Sequence, residues 1–129
     1  MKTVDELAAV VVDAAFKVHQ ELGPGLLESA YEACLAHELT KRGLVIEKQK
    51  AQPVFYDGVT IDVGYRMDLL VNDCVVIELK SVDQIIPIHQ AQLMTYLKLS
   101  KKPLGFLINF NTTYFKSSIK RIANNHQES

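Results

Sequence analysis

Residues 65–80 read YRMDLLVNDCVVIELK, two apolar segments on either side of the turn signal Asn72-Asp73. The mixture of aliphatic and polar residues in each segment predicts two strands, over residues 65–71 and 75–80. Their register matters, because a shift of one residue moves every side chain of a strand to the other face of the sheet.

Two registers are possible for this predicted hairpin, and they distribute the charges differently. A two-residue turn that pairs Val71 with Cys74 would mix charged and apolar side chains on both faces. Pairing Asp68 with Glu78 separates them, and it requires an odd-length loop or a bulge at residues 72–74. One face then holds Met67, Leu69, Val71, Val75, Ile77 and Leu79, and the other holds Arg66, Asp68, Glu78 and Lys80. We adopt this second register, which brings two carboxylates and an ammonium group together.

Opposed carboxylates on neighbouring strands repel each other and need a counter-ion. A divalent cation would serve, and carboxylate oxygens with open water positions suit Mg²⁺ or Mn²⁺. Lys80 lies two residues beyond Glu78 and so on the same face, where it can hold a water or neutralise charge in a transition state. The alternative is that Asp68, Glu78 and Lys80 form an internal ion pair at a solvated edge of the sheet.

The rest of the chain predicts helices on either side of a group of strands. Thr3-x-x-Glu6 has the form of a capping box for a helix that ends near Glu21. A glycine-rich break follows, and a second helix is predicted over residues 26–42, with Gly43 as its C-terminal cap. A third helix should begin at Pro87 and end near residue 99. Further strands are predicted at residues 44–52, 54–56, 59–63 and 104–109, while residues 119–122 suit either an edge strand or a helical turn.

This order of helices and strands indicates an α/β domain with a mixed sheet of four or more strands flanked by helices. The only glycine-rich turn follows a helix, so it suits neither a phosphate loop nor a dinucleotide fingerprint.

Composition points to a single domain over residues 1–123, with a flexible tail over residues 124–129. The 129 residues are 48% hydrophobic, which excludes disorder as the main state, and their number leaves no room for a second core. No apolar run is long enough to span a membrane and the N-terminus does not resemble a signal peptide, so we expect a cytoplasmic protein. The formal charge of −1 argues against a strong non-specific nucleic-acid binder, although it allows a local basic groove. Cys34 and Cys74 lack zinc spacing, and we expect both to be buried thiols.

Several of these residues also match family motifs. An Asp followed on the next strand by Glu-x-Lys resembles the signature of the PD-(D/E)XK nuclease superfamily. Residues 25–31, GLLESAY, resemble the motif that names its GxxExxY branch, and residues 18–24, VHQELGP, are also similar to that family. Residues 92–96, QLMTY, are similar to a Gln-x-x-x-Tyr element found in several branches. The resemblance extends over residues 4–122, with Met67 in place of the usual proline before the Asp.

The resemblance implies a restriction-endonuclease-like core that binds one or two Mg²⁺ ions, with Mn²⁺ as a possible substitute, and hydrolyses phosphodiester bonds. On the matching positions, the implied metal ligands are Glu28, Asp68 and Glu78, and the catalytic residues are Asp68, Glu78, Lys80, Gln92 and Tyr96. The implied partner is nucleic acid, with DNA favoured over RNA. A non-catalytic nucleic-acid-binding or protein-interaction module with the same fold is the alternative, and a homodimer or partner subunit would enlarge the small binding surface.

Overall fold

The computed structural model describes residues 2–125, which form three helices, seven strands and one short 3-10 helix. The predicted tail falls largely on residues 126–129, outside the described residues. In chain order the elements are α1 (Val4–Leu22), α2 (Glu28–Lys41), β1 (Ile46–Ala51), β2 (Val54–Tyr56), β3 (Val59–Ile61), β4 (Arg66–Val71), β5 (Val75–Lys80), α3 (Pro87–Ser100), β6 (Leu104–Asn109), the 3-10 helix (Phe115–Ser118) and β7 (Ile119–Ala123).

Five strands form one mixed sheet in the order β1-β4-β5-β6-β7. β5 and β6 are parallel and are joined through α3, while the other neighbours are antiparallel. β2 and β3 form a separate hairpin around Asp57-Gly58. Residues 119–122, for which the sequence allowed an edge strand or a helical turn, belong to the edge strand β7. The predicted α/β fold with a mixed, helix-flanked sheet is confirmed and is consistent with a restriction-endonuclease-like core.

The helix ends follow the local sequence signals. Thr3 and Glu6 form the predicted capping box, each side chain accepting the other's backbone N–H at 3.1 Å. Gly43 follows α2 with a φ of 89°, the left-handed conformation expected of a C-terminal glycine. α2 begins at Glu28, two residues later than predicted, since the backbone of Leu27 is still extended.

The sheet is covered on both faces. Side chains of α1 and α2 pack on one face in a cluster that includes Leu35, Leu69 and Ile77, and α3 packs on the other through Leu93 and Leu97. Among the four predicted charged residues Glu78 is buried, Asp68 and Lys80 are half-buried and Arg66 is exposed. The alternative of a solvated edge is wrong, because β4 and β5 are interior strands of the sheet. Glu78 in particular is only 8% exposed.

The predicted hairpin register is confirmed near the turn and changes at Asp68. Val71 pairs with Val75 across the three-residue loop, and the ladder continues to Leu69 and Ile77. Met67, however, packs in the cluster beneath α3 and not with Leu69 as predicted. β4 stays paired with β1 at Met67, but its pairing with β5 ends at Leu69, and the shift in side-chain alternation falls at that point.

The structure also bears on the two cysteines and on the predicted C-terminal tail. Cys34 is exposed and Cys74 is half-buried, so the prediction of two buried thiols is wrong; both are free. Cys34 lies on α2 one position before the buried Leu35, and it lines the groove between α1 and α2 instead of the core. Asn124, placed in the predicted tail, bonds to Leu97 and Lys102 through its side chain. None of the helices within residues 2–125 is long and apolar enough to cross a membrane.

Candidate active site

The sheet opens at the level of Asp68, and side chains there replace the missing backbone bonds. Asp68 Oδ2 accepts the backbone N–H of Leu79 at 2.8 Å, and Glu78 Oε1 accepts the backbone N–H of Asp68 at 3.3 Å. Each carboxylate thus bonds to the other strand of the hairpin. The backbone pairing of β4 with β5 is therefore interrupted at this level, and the carboxyl groups of Asp68 and Glu78 lie at the interruption.

Glu78 is the most strongly perturbed of these groups. Burial raises its pKa from 4.5 to about 9, with help from the negative charge of Asp68 and a hydrogen bond with that residue. The ammonium group of Lys80 opposes this rise but does not cancel it. Without a cation, Glu78 is therefore protonated at neutral pH. A positive charge between the carboxyl groups of Asp68 and Glu78 would lower the pKa of Glu78 and favour its ionised form.

Glu28 lies across the cleft, at the first position of α2. Its pKa is raised, first by partial burial and then by the charge of Asp68, while Lys80 opposes the rise. The cleft between α2 and the sheet has a volume of about 380 Å³. Its lining includes Leu27, Glu28, Glu32, Gln49, Asp68 and Leu79.

Tyr31 holds the loop that carries Glu28 into this position. The Tyr31 ring is fully buried and stacks on Phe110 with ring centres 4.6 Å apart. Its hydroxyl donates to the carbonyl of Gly23 at 2.5 Å and accepts the N–H of Leu26 at 3.2 Å. Ser81, directly after Lys80, donates to the carbonyl of Leu26 at 2.7 Å. The glycine-rich loop is thereby tied both to the core and to the end of β5.

Tyr96 and Gln92 approach the site from α3. Tyr96 is 6% exposed, and its pKa is raised by burial and by the charge of Glu78. Its hydroxyl accepts a hydrogen bond from Gln92 Nε2 at 3.3 Å, as expected for residues at positions i and i+4 of a helix. The tyrosine is therefore a protonated hydroxyl beside Glu78.

These features agree with the one comparison that found a match. A family model of the PD-(D/E)XK nuclease superfamily matches residues 5–122, which is most of the chain. The chain belongs to the PD-(D/E)XK nuclease superfamily. No curated protein and no solved structure matches it. Superfamily membership suggests a nuclease-type function with nucleic acid as partner, and PD-(D/E)XK nucleases generally use divalent metals.

The donor set of this PD-(D/E)XK site fits Mg²⁺ through two carboxylates. Mg²⁺ typically binds one or two protein carboxylates and keeps several waters. Asp68 and Glu78 meet that need, and a cation bound between them would favour the ionised form of Glu78. Within residues 2–125, no three His, Cys, Asp or Glu side chains lie close enough together to hold one ion. Glu28 as a third ligand therefore stays a prediction.

Three polar residues at the site were not found from the sequence. Gln49 Nε2 donates to Glu32 Oε1 at 2.6 Å and to Asp68 Oδ1 at 3.2 Å. Asn109 bonds to both backbone groups of Val82 in the loop after β5. The spacing of Glu32, one helical turn after Glu28, is a signal that would have identified it. Nothing in the local sequence marks Gln49.

His19 and His89, which lie close in sequence to the family motifs, make hydrogen bonds with backbone groups. His19 Nε2 bonds to the carbonyl oxygen of Thr112 at 2.6 Å, and its ring stacks on Phe115. His89 Nδ1 accepts the backbone N–H of Ile86 at the start of α3. Each side chain is therefore engaged in a hydrogen bond with the backbone of its partner.

Proposed function

We propose that this protein is a divalent-metal-dependent nuclease that hydrolyses phosphodiester bonds, with Mg²⁺ as its metal and Mn²⁺ as a substitute. The observation that carries the proposal is the opposed pair of Asp68 and Glu78 at the opening of the sheet. The pair is buried enough to raise the pKa of Glu78 to about 9. A buried carboxyl group with a strongly raised pKa beside a second carboxylate is typical of a functional site, and a cation bound there would stabilise the ionised form of Glu78.

Each residue has a role that follows from its position. Asp68 and Glu78 would hold the metal, with Glu28 as a third donor from across the cleft. A bound Mg²⁺ would supply Lewis-acid polarisation of the phosphate and acidify a water. Lys80 would orient that water or neutralise charge that develops on the phosphate. Tyr96, supported by Gln92, would donate a hydrogen bond from its protonated hydroxyl.

The finer assignments extend this proposal. The sequence Gly25-x-x-Glu28-x-x-Tyr31 supports placement in the GxxExxY branch, because Tyr31 secures the loop that precedes Glu28. We propose that residues 1–123 form one domain and that its substrate is DNA in preference to RNA. A homodimer or partner subunit stays a prediction, which light scattering of the full chain tests.

A nuclease assay with isosteric variants tests the proposal. The full chain is incubated with single-stranded DNA, duplex DNA or RNA in Mg²⁺, in Mn²⁺ or in EDTA. We expect cleavage that requires the metal and is lost in Asp68→Asn and Glu78→Gln. Asp57→Asn in the exposed β2–β3 turn and Glu47→Gln on the exposed surface of β1 are matched controls and should retain it.

The pattern of results separates the proposal from its alternative. Cleavage that survives in Asp68→Asn would contradict the assignment of the site. Nucleic-acid binding that is unaffected by EDTA, with no product in either metal, would identify a non-catalytic binding module with this fold.

A further inference from the structure

Gln49 has an unusual backbone for a residue inside a strand. Its φ is 51°, in the left-handed region that disfavours side chains with a Cβ. The β1–β4 pairs on either side of it are intact, with Lys48 opposite Leu69 and Lys50 opposite Met67. A single strained residue within a maintained ladder persists only when its surroundings hold it there.

The Gln49 side chain bridges a helix and a strand. Its Nε2 donates one hydrogen bond to Glu32 on α2 at 2.6 Å and another to Asp68 on β4 at 3.2 Å. A primary amide carries two N–H donors, so one nitrogen satisfies both carboxylates. It also separates two negative charges that line the same cleft.

Gln49 completes the hydrogen bonding of Asp68. Asp68 Oδ2 is bound by the N–H of Leu79, and Oδ1 is bound by Gln49. The carboxylate is therefore held on both sides, from β5 and from β1. Without Gln49, only the hydrogen bond from the N–H of Leu79 would restrain rotation of the Asp68 carboxylate.

We propose that Gln49 is a positioning residue, which orients the Asp68 carboxylate for a divalent cation while Glu32 anchors the Gln49 amide. This inference rests on the proposed function, because it assigns a role toward the metal held by Asp68. Hydrogen-bond partners of a ligating side chain commonly change metal affinity about 10- to 100-fold when removed. Gln49 touches no reacting group and acts through Asp68.

The test is calorimetric titration of the full chain with MnCl₂, which needs no substrate. Gln49→Ala removes the amide and keeps a Cβ in the left-handed backbone, whereas Gln49→Gly removes the amide and relieves the backbone. We expect both variants to bind Mn²⁺ about 10-fold more weakly than the wild type. Lys48→Ala, the neighbouring exposed position on β1, should bind as the wild type does, and Asp68→Ala should not bind.

A second substitution tests the chain of contacts from α2. Glu32→Gln should weaken binding in the wild type, because the anchor for the Gln49 amide is reduced. It should have no further effect in the Gln49→Ala background, since the two residues act through one contact. A merely structural role would lower the urea midpoint in both variants and leave the Mn²⁺ dissociation constant unchanged.

The possible outcomes distinguish this inference from the proposed function. Wild-type affinity in Gln49→Ala, with binding lost in Asp68→Ala, would overturn the positioning role and leave the metal site standing. Recovery of binding in Gln49→Gly but not in Gln49→Ala would overturn the role of the amide, because only the backbone differs. No Mn²⁺ binding by the wild type would overturn both proposals.

Discussion

Replacing Glu78 with glutamine should remove a pH dependence from the stability of this fold. The Glu78 side chain is 8% exposed, and its pKa is raised from 4.5 to about 9 by burial and by Asp68. Between these two values the folded protein holds a proton on Glu78 that the unfolded chain has lost. The stabilisation that depends on this proton is complete below pH 4.5 and is lost as the pH rises through about 9.

The magnitude follows from one proton. A difference of one bound proton changes the free energy of unfolding by about 1.4 kcal/mol per pH unit. The wild type should therefore lose about 2.7 kcal/mol between pH 5.5 and pH 7.5 from this group, before any relaxation around the charge. Glutamine keeps the shape and is neutral at every pH, so the stability of Glu78→Gln relative to the wild type should rise over that interval.

The assay is urea denaturation of both proteins at several pH values from 5 to 9, with EDTA present because a bound cation would stabilise the ionised form. Glu47→Gln, an exposed position on β1, is the matched control and should follow the wild type. The reasoning would be refuted if the wild type and Glu78→Gln showed the same dependence on pH. Glu78 would then be ionised in the folded protein, and its burial would not govern its charge.

The remaining predictions concern the metal and two structural contacts. Mn²⁺ affinity should rise with pH between 6 and 8, by up to about tenfold per unit, because the ion displaces a proton; calorimetry in buffers of different ionisation enthalpy should detect its release. Tyr31→Phe should destabilise the fold by about 1–3 kcal/mol in urea, because two part-buried hydrogen bonds of its hydroxyl, to the N–H of Leu26 and the carbonyl of Gly23, are lost. Asn109→Ala should cost about 2–3 kcal/mol, since it leaves both backbone groups of Val82 without that side chain, and amide exchange in the loop after β5 should accelerate.

Each of these has a result that would contradict it. Mn²⁺ binding with no dependence on pH would mean that no carboxyl group loses a proton on binding. For Tyr31→Phe the control is Tyr114→Phe at a tyrosine that is 67% exposed, and equal stabilities of the two variants would remove the role of the Tyr31 hydroxyl. Unchanged exchange in Asn109→Ala would show that other bonds hold the loop.

Local patterns were sufficient to predict most of the secondary structure. The capping box at Thr3, the proline at the start of α3 and the apolar run of β6 each act within a few residues, so their signals are visible in the sequence. The register near the turn of the β4–β5 hairpin was also predictable, because only one pairing separates charged from apolar side chains. Asp68, Glu78 and Lys80 could be proposed together for the same reason.

Local patterns failed where distant segments meet. Met67 lies on the opposite face from its expected position, next to the point where the β4–β5 ladder ends and the side chains of Asp68 and Glu78 accept backbone N–H groups. The burial of the charged face could not be foreseen, since it depends on α3 packing across the sheet through Leu93. Cys34 was misplaced because the absence of zinc spacing says nothing about which face of α2 carries the residue.

The elements and the acidic motif are thus properties of the sequence, since caps, turns and side-chain alternation depend on neighbouring residues. The chemistry of the motif is a property of the tertiary structure. Three different elements, α2, β1 and α3, bring Glu28, Gln49 and Tyr96 around the opening in the sheet. Burial by those segments removes water from Glu78 and raises its pKa, and that loss of solvation arises only when the whole fold has formed.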